Sequence, residues 1–493
     1  MRKNKKTDWV TKRVQSVLPV ITLSAYSCFF VYFQNIGEGK FKEIIIPFLI
    51  FSGIGAGLQF LIRYPLKSDE KASVFSWLLL IMIINFNFVV VIARQKFGFS
   101  GRPLHLMFAW LAIYAIIFWA FIKMKTGEAW IYLCNIISVI YIGLIIFNGI
   151  TAIPDVISWI KGQNVQMLEL VETGNPGKMG RNVYYMIFDE YGGTQNLQYY
   201  YNFDNQEFED YLDNRGFCYS HSSYNQEATL TIQIVPNLLN LDYVTSDDDN
   251  RNRAYMREPV LYRYFWNMGY KINLVNHQNF LAKEGCNSLL EKQKEVAVGA
   301  DVNFTDYLIE QSIISSIFRN IGNYFQEQYA NDLTEALKTM ESSWKEANED
   351  KTLTICYIQC PHIYFVYDEN GNLLPKEQKS NWEDKDVYIG QLKYLNRWIQ
   401  KTVDGIIDND PDAVIILQSD HGARGAIPCE NVPDELWDTG VDYRQNVLNC
   451  VYWGANVEPQ DIEGLSGVNT LRLVLNTEFD SDFDMISIHD KEN

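Results

Sequence analysis

The stretch Ala413-Val-Ile-Ile-Leu-Gln-Ser-Asp-His-Gly422 runs an apolar segment into a polar turn that carries Asp420, His421 and Gly422. The run Val414 to Leu417 has the length of a fully buried strand of a parallel sheet, and open α/β sheets bind ligands at the carboxyl ends of their strands. A carboxylate and an imidazole delivered together at such an end are ligands for a divalent metal. The competing reading is an Asp that caps a turn beside an exposed His. Asn182-Val-Tyr-Tyr-Met-Ile-Phe-Asp-Glu-Tyr-Gly-Gly193 repeats the plan: an apolar strand, Val183–Phe188, stops at Asp189-Glu190 and two glycines. Here the alternative is a solvated acidic turn.

Two further stretches carry a hydroxyl and an imidazole. Between Ser222 and Asn240 a polar loop ends in Thr229 and Thr231, and an apolar helical run follows. A hydroxyl at a helix start lies in the positive end of the macrodipole. A neighbouring divalent cation would make its alkoxide accessible as a nucleophile. Threonine there is also a common N-cap, and one residue can serve both roles. In Cys360-Pro-His-Ile-Tyr-Phe365, Pro361 ends the strand Leu353–Ile358 and presents His362 in a loop. That histidine suits a substrate phosphate, a proton relay, or simple exposure.

The elements that must position these groups alternate. Glu207–Arg215 reads as helix, Gly216–Ser220 as strand, Leu261–Met268 as helix and Tyr270–Asn276 as strand. Residues 305–348 read as mostly helical, Leu353–Ile358 as strand, 386–408 as helix and 413–418 as strand, while Asp247–Arg253 reads as a solvated loop. The alternation predicts an α/β domain with a doubly wound, mostly parallel sheet and helices on both faces.

The first 150 residues are different. Apolar segments at about Val17–Phe33, Ile44–Ile62, Val74–Ala93, Leu104–Ile122 and Ala129–Ile150 each approach the roughly 20 residues that cross a bilayer. They predict a five-helix transmembrane domain. This part holds 16 Lys/Arg against 6 Asp/Glu, and the remainder 26 against 54. So acidic a remainder excludes nucleic acid as partner. With a cytoplasmic N-terminus, eleven basic residues (Arg2 to Arg13, Arg63 to Lys71, Lys123 and Lys125) fall inside and five outside. The positive-inside rule favours that orientation, which leaves everything after residue 150 extracytoplasmic. Residues 151–181 form a linker in which Ile153, Val156, Ile157 and Ile160 recur at helical spacing and Gly174 to Gly180 reads as a hinge. The outer domain then covers 182–493. Eight scattered cysteines show no zinc-ribbon spacing.

The four stretches, in this order over about 180–425, resemble the alkaline phosphatase superfamily. The likeness is to its sulfatase-like, membrane-anchored branch, which includes lipoteichoic acid synthases and phosphoethanolamine transferases. The resemblance implies one divalent metal, Zn or Mn, held by Asp189, Thr231, Asp420 and His421. Glu190 matches a second acidic position used in some branches. It implies Thr231 as nucleophile, counted five residues before Pro236, with Thr229 as the alternative register, and His362 against the substrate phosphate. It further implies transfer of a phosphoglycerol- or phosphoethanolamine-type head group from a membrane phospholipid to an envelope glycan or lipid, through a covalent phospho-threonine. A membrane-anchored phosphodiesterase or phosphatase and an inactive membrane scaffold are the alternatives. The chain departs from the family pattern in four ways, one being Ile234 and Asn237 where small hydroxyl residues are frequent. No Cys/Ser-x-Pro-x-Arg sulfatase signature lies near Thr231, Tyr364 replaces the second proline of a Pro-His-x-Pro-Phe loop, and no cysteines flank Thr231.

Overall fold

A computed structural model of the chain describes residues 2–37, 39–97, 103–163, 180–225, 230–277, 280–282, 285–290, 303–317, 320–345, 351–375, 384–423 and 443–487. The chain divides into two compact units. One holds residues 1–157 together with 300–325, and the other holds 158–299 and 326–493.

The first unit contains α1 (Arg2–Gln34), α2 (Ile45–Leu66), α3 (Asp69–Ile84), α4 (Phe86–Phe97), α5 (Pro103–Lys123) and α6 (Ala129–Thr151), and α7 (Ile153–Gln163) begins in it. Four helices among the described residues are long and apolar enough to cross a membrane, not the expected five: Arg13–Gln34, Phe41–Leu66, Leu104–Lys123 and Ala129–Lys161. The exception is the segment expected at Val74–Ala93, which divides at Asn85 into α3 and α4. Polar side chains explain the break: Asn85 Nδ2 turns back to the Ile81 carbonyl at 2.9 Å, and Asn87 Nδ2 donates to Ser315 Oγ at 2.7 Å and to the Glu310 carbonyl. The linker helix foreseen from Ile153, Val156, Ile157 and Ile160 is α7, and the hinge at Gly174 to Gly180 lies, but for Gly180, outside the described residues.

The second unit is organised on a seven-stranded sheet. Its strands are β1 (Val183–Phe188), β2 (Phe217–Tyr219), β3 (Lys271–Asn276), β4 (Asn287–Ser288), β5 (Thr352–Ile358), β6 (Val414–Ser419) and β7 (Asn449–Tyr452), in the spatial order β2-β7-β6-β1-β5-β3-β4. The sheet is mixed rather than uniformly parallel, since β7 runs antiparallel to both β6 and β2. The central strands β1, β5 and β6 are buried along their whole length, as continuous apolar runs require. Their side chains alternate between two cores. Tyr184, Met186, Phe188, Ile415 and Leu417 face α15 (Asn320–Ser342) and α16 (Lys385–Asn409), and α8 (Thr194–Tyr201) follows β1. Val183, Tyr185, Ile187, Val414 and Ile416 face α10 (Thr231–Asn240), α12 (Val260–Asn267) and α17 (Gly467–Phe479). Between these lie α9 (Gln206–Asn214) and α11 (Asp249–Tyr255), and α11 replaces the loop expected at Asp247–Arg253 because Asp248 caps it through the Asn250 and Arg251 amides.

Residues 303–317, expected inside the outer domain of 182–493, pack with the membrane helices instead. They form α13 (Phe304–Gln311) and α14 (Ile313–Ile317). Asn303 caps α13, Phe304 N donates to the buried Glu43 carboxylate at 3.2 Å, and Thr305 Oγ1 donates to the Glu43 carbonyl at 2.5 Å. Phe304 and Leu308 join Val20, Leu23, Phe51 and Leu80 in one core, and Ile313 packs with Met82, Phe86 and Val90.

Candidate metal centre

Parallel pairing of β1 with β6 places Phe188 opposite Ser419. The next residues, Asp189 and Asp420, therefore leave the sheet at one level, with His421 following. One ligand atom from each of these three residues lies within 4.8 Å of the others. His421 Nε2 is 3.7 Å from Asp189 Oδ1 and 3.5 Å from Asp420 Oδ2, and all three side chains are buried. Among the described residues, Asp420 Oδ2 and His421 Nε2 have no hydrogen-bond partner. Burying such atoms unpaired is costly.

Each donor is aimed by a bond to its other atom. Asp420 Oδ1 accepts the backbone N–H groups of Glu190 (3.0 Å) and His421 (2.7 Å). Asp189 Oδ2 accepts the Tyr357 hydroxyl at 2.8 Å. His421 Nδ1 lies 2.9 Å from the Gly422 carbonyl, which can only accept, so Nδ1 carries a proton and the ring turns Nε2 toward the two carboxylates. Two carboxylate oxygens and one imidazole nitrogen converge as a divalent cation requires, so the residues present fit a metal. Burial pushes the nearby Cys360 thiol upward, and the Asp189 carboxylate adds to it.

Glu190 and His362 stand beside this group. Glu190 takes a left-handed backbone (φ 65°), unusual without glycine, held by its amide bond to Asp420 and by Tyr388 donating to its carbonyl at 2.9 Å. His362 Nε2 is 3.8 Å from Glu190 Oε2, and His362 N donates to the Asp189 carbonyl at 3.3 Å. Gln391 Nε2 holds the loop by donating to the Pro361 carbonyl at 3.1 Å. His362 is partly open to solvent, unlike His421.

Thr231 is the first residue of α10, and Leu230, not a threonine, occupies the cap position. Thr229 lies outside the described residues. Asn225 ties the preceding loop to the ligand strand by donating to the Ser419 and Asp420 carbonyls at 3.2 and 2.6 Å. Six residues of chain from Asn225 to Thr231 reach at most roughly 20 Å.

Three residues bonded to this group or its turns are not foreshadowed by the sequence. Asn446 Oδ1 accepts the Gln195 and Asn196 amides at 2.9 and 3.1 Å, fixing the start of α8, and Asn196 holds the Ala423 and Tyr443 carbonyls at 3.3 and 3.0 Å. These bonds leave no room at Gly422, where an added Cβ would meet the Asn446 carbonyl oxygen at 2.7 Å. The third is Tyr357. Nothing local in the sequence distinguishes it or the two asparagines from ordinary core and turn residues.

No family model matches the chain, and no curated protein matches it. Solved structures do. The periplasmic domain of EptC from Escherichia coli, in complex with Zn, aligns at 13% identity over 65% of this chain and 88% of its own, with a TM-score of 0.43. The integral membrane phosphoethanolamine transferase EptA from Neisseria meningitidis aligns at 12% identity over 94% and 95%, with a TM-score of 0.39. The lipoteichoic acid synthase LtaP from Listeria monocytogenes aligns at 13% identity over 66% and 79%, with a TM-score of 0.38.

Proposed function

We propose that this chain is a membrane-anchored, metal-dependent phosphotransferase that moves a phospho-head-group from a membrane phospholipid to an envelope glycan or lipid through Thr231. The observation that carries the reading is the set of three buried donors, Asp189, Asp420 and His421, with Asp420 Oδ2 and His421 Nε2 left without hydrogen-bond partners. These residues would hold a zinc or manganese ion, with Thr231 as a further ligand. Such an ion, when bound, lowers the pKa of a hydroxyl and neutralises phosphoryl oxygens.

The chain's own residues supply the rest. Thr231 Oγ attacks the phosphorus of the lipid phosphodiester, an O–P bond forms, and the bond to the diacylglycerol oxygen breaks, that oxygen taking up a proton. An acceptor hydroxyl then attacks the same phosphorus, the Thr231 O–P bond breaks, and the acceptor's proton is balanced by one taken up on Thr231 Oγ1. The amino end of α10 favours negative charge at Thr231. His362, partly open, serves the phosphoryl oxygens, and Glu190 beside it orients its ring. Positioning and electrostatics dominate transfers of this kind.

Features of the first unit support the orientation with the N-terminus cytoplasmic. Arg13 pairs with Asp69 at 3.9 Å, and Lys71 Nζ donates to the Met124 carbonyl at 2.8 Å, which gathers basic residues at one end of the bundle. The C-terminal segment at Phe304 packs near Tyr32, at the other end of α1. This orientation needs an odd number of crossings, so beside the four full-length helices the proposal counts α3, 16 residues or about 24 Å long, as a short fifth, under the roughly 30 Å of a bilayer core.

The test is mass spectrometry of the full chain in vesicles containing phosphatidylethanolamine or phosphatidylglycerol. A phospho-head-group adduct on the Thr231 peptide, absent from Thr231→Ala, is the expected result. An adduct on Thr229 moves the nucleophile. Release of the free phospho-head-group to water at a rate no acceptor alters makes the enzyme a hydrolase. Full turnover by Thr231→Ala overturns the proposal.

A further inference from the structure

The three candidate ligands are aimed by different means. Asp420 is locked by two main-chain N–H groups and His421 by a main-chain carbonyl. On Asp189 Oδ2 the bond comes from a side chain, the Tyr357 phenol. Main-chain locks survive substitution, whereas the phenol is removed by taking away one oxygen atom.

Tyr357 is built to hold its place. It sits on β5 in register with Ile187 of β1 and Asn276 of β3, so strands flank it on both sides. Its ring stacks on the buried Phe280 with centroids 4.8 Å apart and planes 22° apart. The hydroxyl reaches across to Asp189 Oδ2, and the carboxylate then turns Oδ1 toward His421 Nε2. Losing that hydroxyl removes the hydrogen bond that occupies Oδ2.

We infer that Tyr357 is a positioning residue for the metal: by holding Asp189 Oδ2 it makes Asp189 a one-oxygen ligand and sets the affinity of the site. The inference rests on the metal reading of Asp189, Asp420 and His421. A partner of this kind alters metal affinity by about 10- to 100-fold.

The experiment titrates Zn²⁺, and separately Mn²⁺, into the metal-stripped full chain in detergent against a competing chelator. The variants are Tyr357→Phe, Asp189→Asn and Tyr270→Phe. Tyr270 is the control for losing a buried phenol. It is equally buried and donates to the Arg181 carbonyl at 2.8 Å, ahead of β1 rather than at its carboxyl end. Tyr357→Phe is expected to bind Zn²⁺ 10- to 100-fold more weakly, Asp189→Asn to lose the site, and Tyr270→Phe to match the parent. The metal-free melting temperatures of the two phenol variants should fall by similar amounts. Binding by Tyr357→Phe within threefold of the parent overturns the inference and leaves the metal site standing. So does an equal loss of affinity in Tyr270→Phe, because the effect is then one of stability. A parent chain that binds neither ion overturns the metal reading itself.

Discussion

Asp189 and Asp420 leave adjacent parallel strands at the same level because Phe188 pairs with Ser419. Two carboxylates far apart in the chain are thus fixed side by side by backbone hydrogen bonds, before any side chain chooses a rotamer. A shift of one residue in that pairing would turn one carboxylate to the other face of the sheet.

Metal removal should lower stability measurably. Bound at a hundred times its dissociation constant, an ion adds about 2.7 kcal/mol. Chelation should therefore lower the melting temperature of the parent chain and leave Asp420→Asn unmoved. The metal-free Asp420→Asn protein should be at least as stable as the metal-free parent, since it buries one charge fewer. Calorimetry with and without chelator reads both.

Thr231→Ala should reduce head-group transfer by at least about a thousandfold, as loss of an activated nucleophile does, without lowering the melting temperature by more than a few degrees. Thr231→Ser should keep part of the activity. Single-turnover assays on lipid vesicles make the comparison.

Gly422→Ala should cost about 1–3 kcal/mol, the usual range for overpacking. The added methyl would lie 2.7 Å from the Asn446 carbonyl oxygen and 2.8 Å from Asn196 Nδ2. The same push falls on His421, so metal affinity should drop with stability. Thermal melts and the chelator competition report the two effects.

Cys356, Cys360 and Cys450 are buried thiols whose ionisation burial opposes. They should resist iodoacetamide at pH 8 in the folded chain and react once it is denatured. Cys218 and Cys286 are less buried and should label first. Peptide mass mapping distinguishes the two sets.

Asn87 Nδ2 and Ser315 Oγ are 2.7 Å apart. The double variant Asn87→Cys, Ser315→Cys should therefore be joined by a short thiol-reactive bifunctional linker. A gel shift after cleavage between the two positions would show it, and absence of the link would remove 303–317 from the first unit.

The site was legible where chemistry follows a strand. Val183–Phe188 and Val414–Ser419 are apolar because both faces of the sheet are covered, and the first polar residues after such runs are its exposed carboxyl ends. That rule pointed to Asp189, Asp420 and His421 as strand-end residues, and the resemblance joined them into one expected ligand set. Tyr357 was not legible, because in Thr352–Ile358 it reads as one more aromatic core residue and its partner comes from another strand. Asn196 and Asn446 are 250 positions apart and meet through backbone amides, which no local period records. The antiparallel course of β7 depends on the return from a distant loop, and the break at Asn85 is averaged away in any window of twenty residues. Residues 303–317 looked like ordinary outer-domain helix because their destination is written in Glu43, Val20 and Asn87, not in themselves.

Because α13 and α14 complete the interior of the first unit, its assembly waits on residues made about 150 positions after its last long helix. The helices up to Thr151 are made first, yet Phe304 and Leu308 reach the ribosome exit about 150 residues later. Until then, the hollow among Val20, Leu23, Phe51 and Leu80 stays open. A fragment cut at residue 182 to yield a water-soluble piece would carry α13 without its hollow. It would also leave the anchor unfilled, so preparations of either half should aggregate where the intact chain does not.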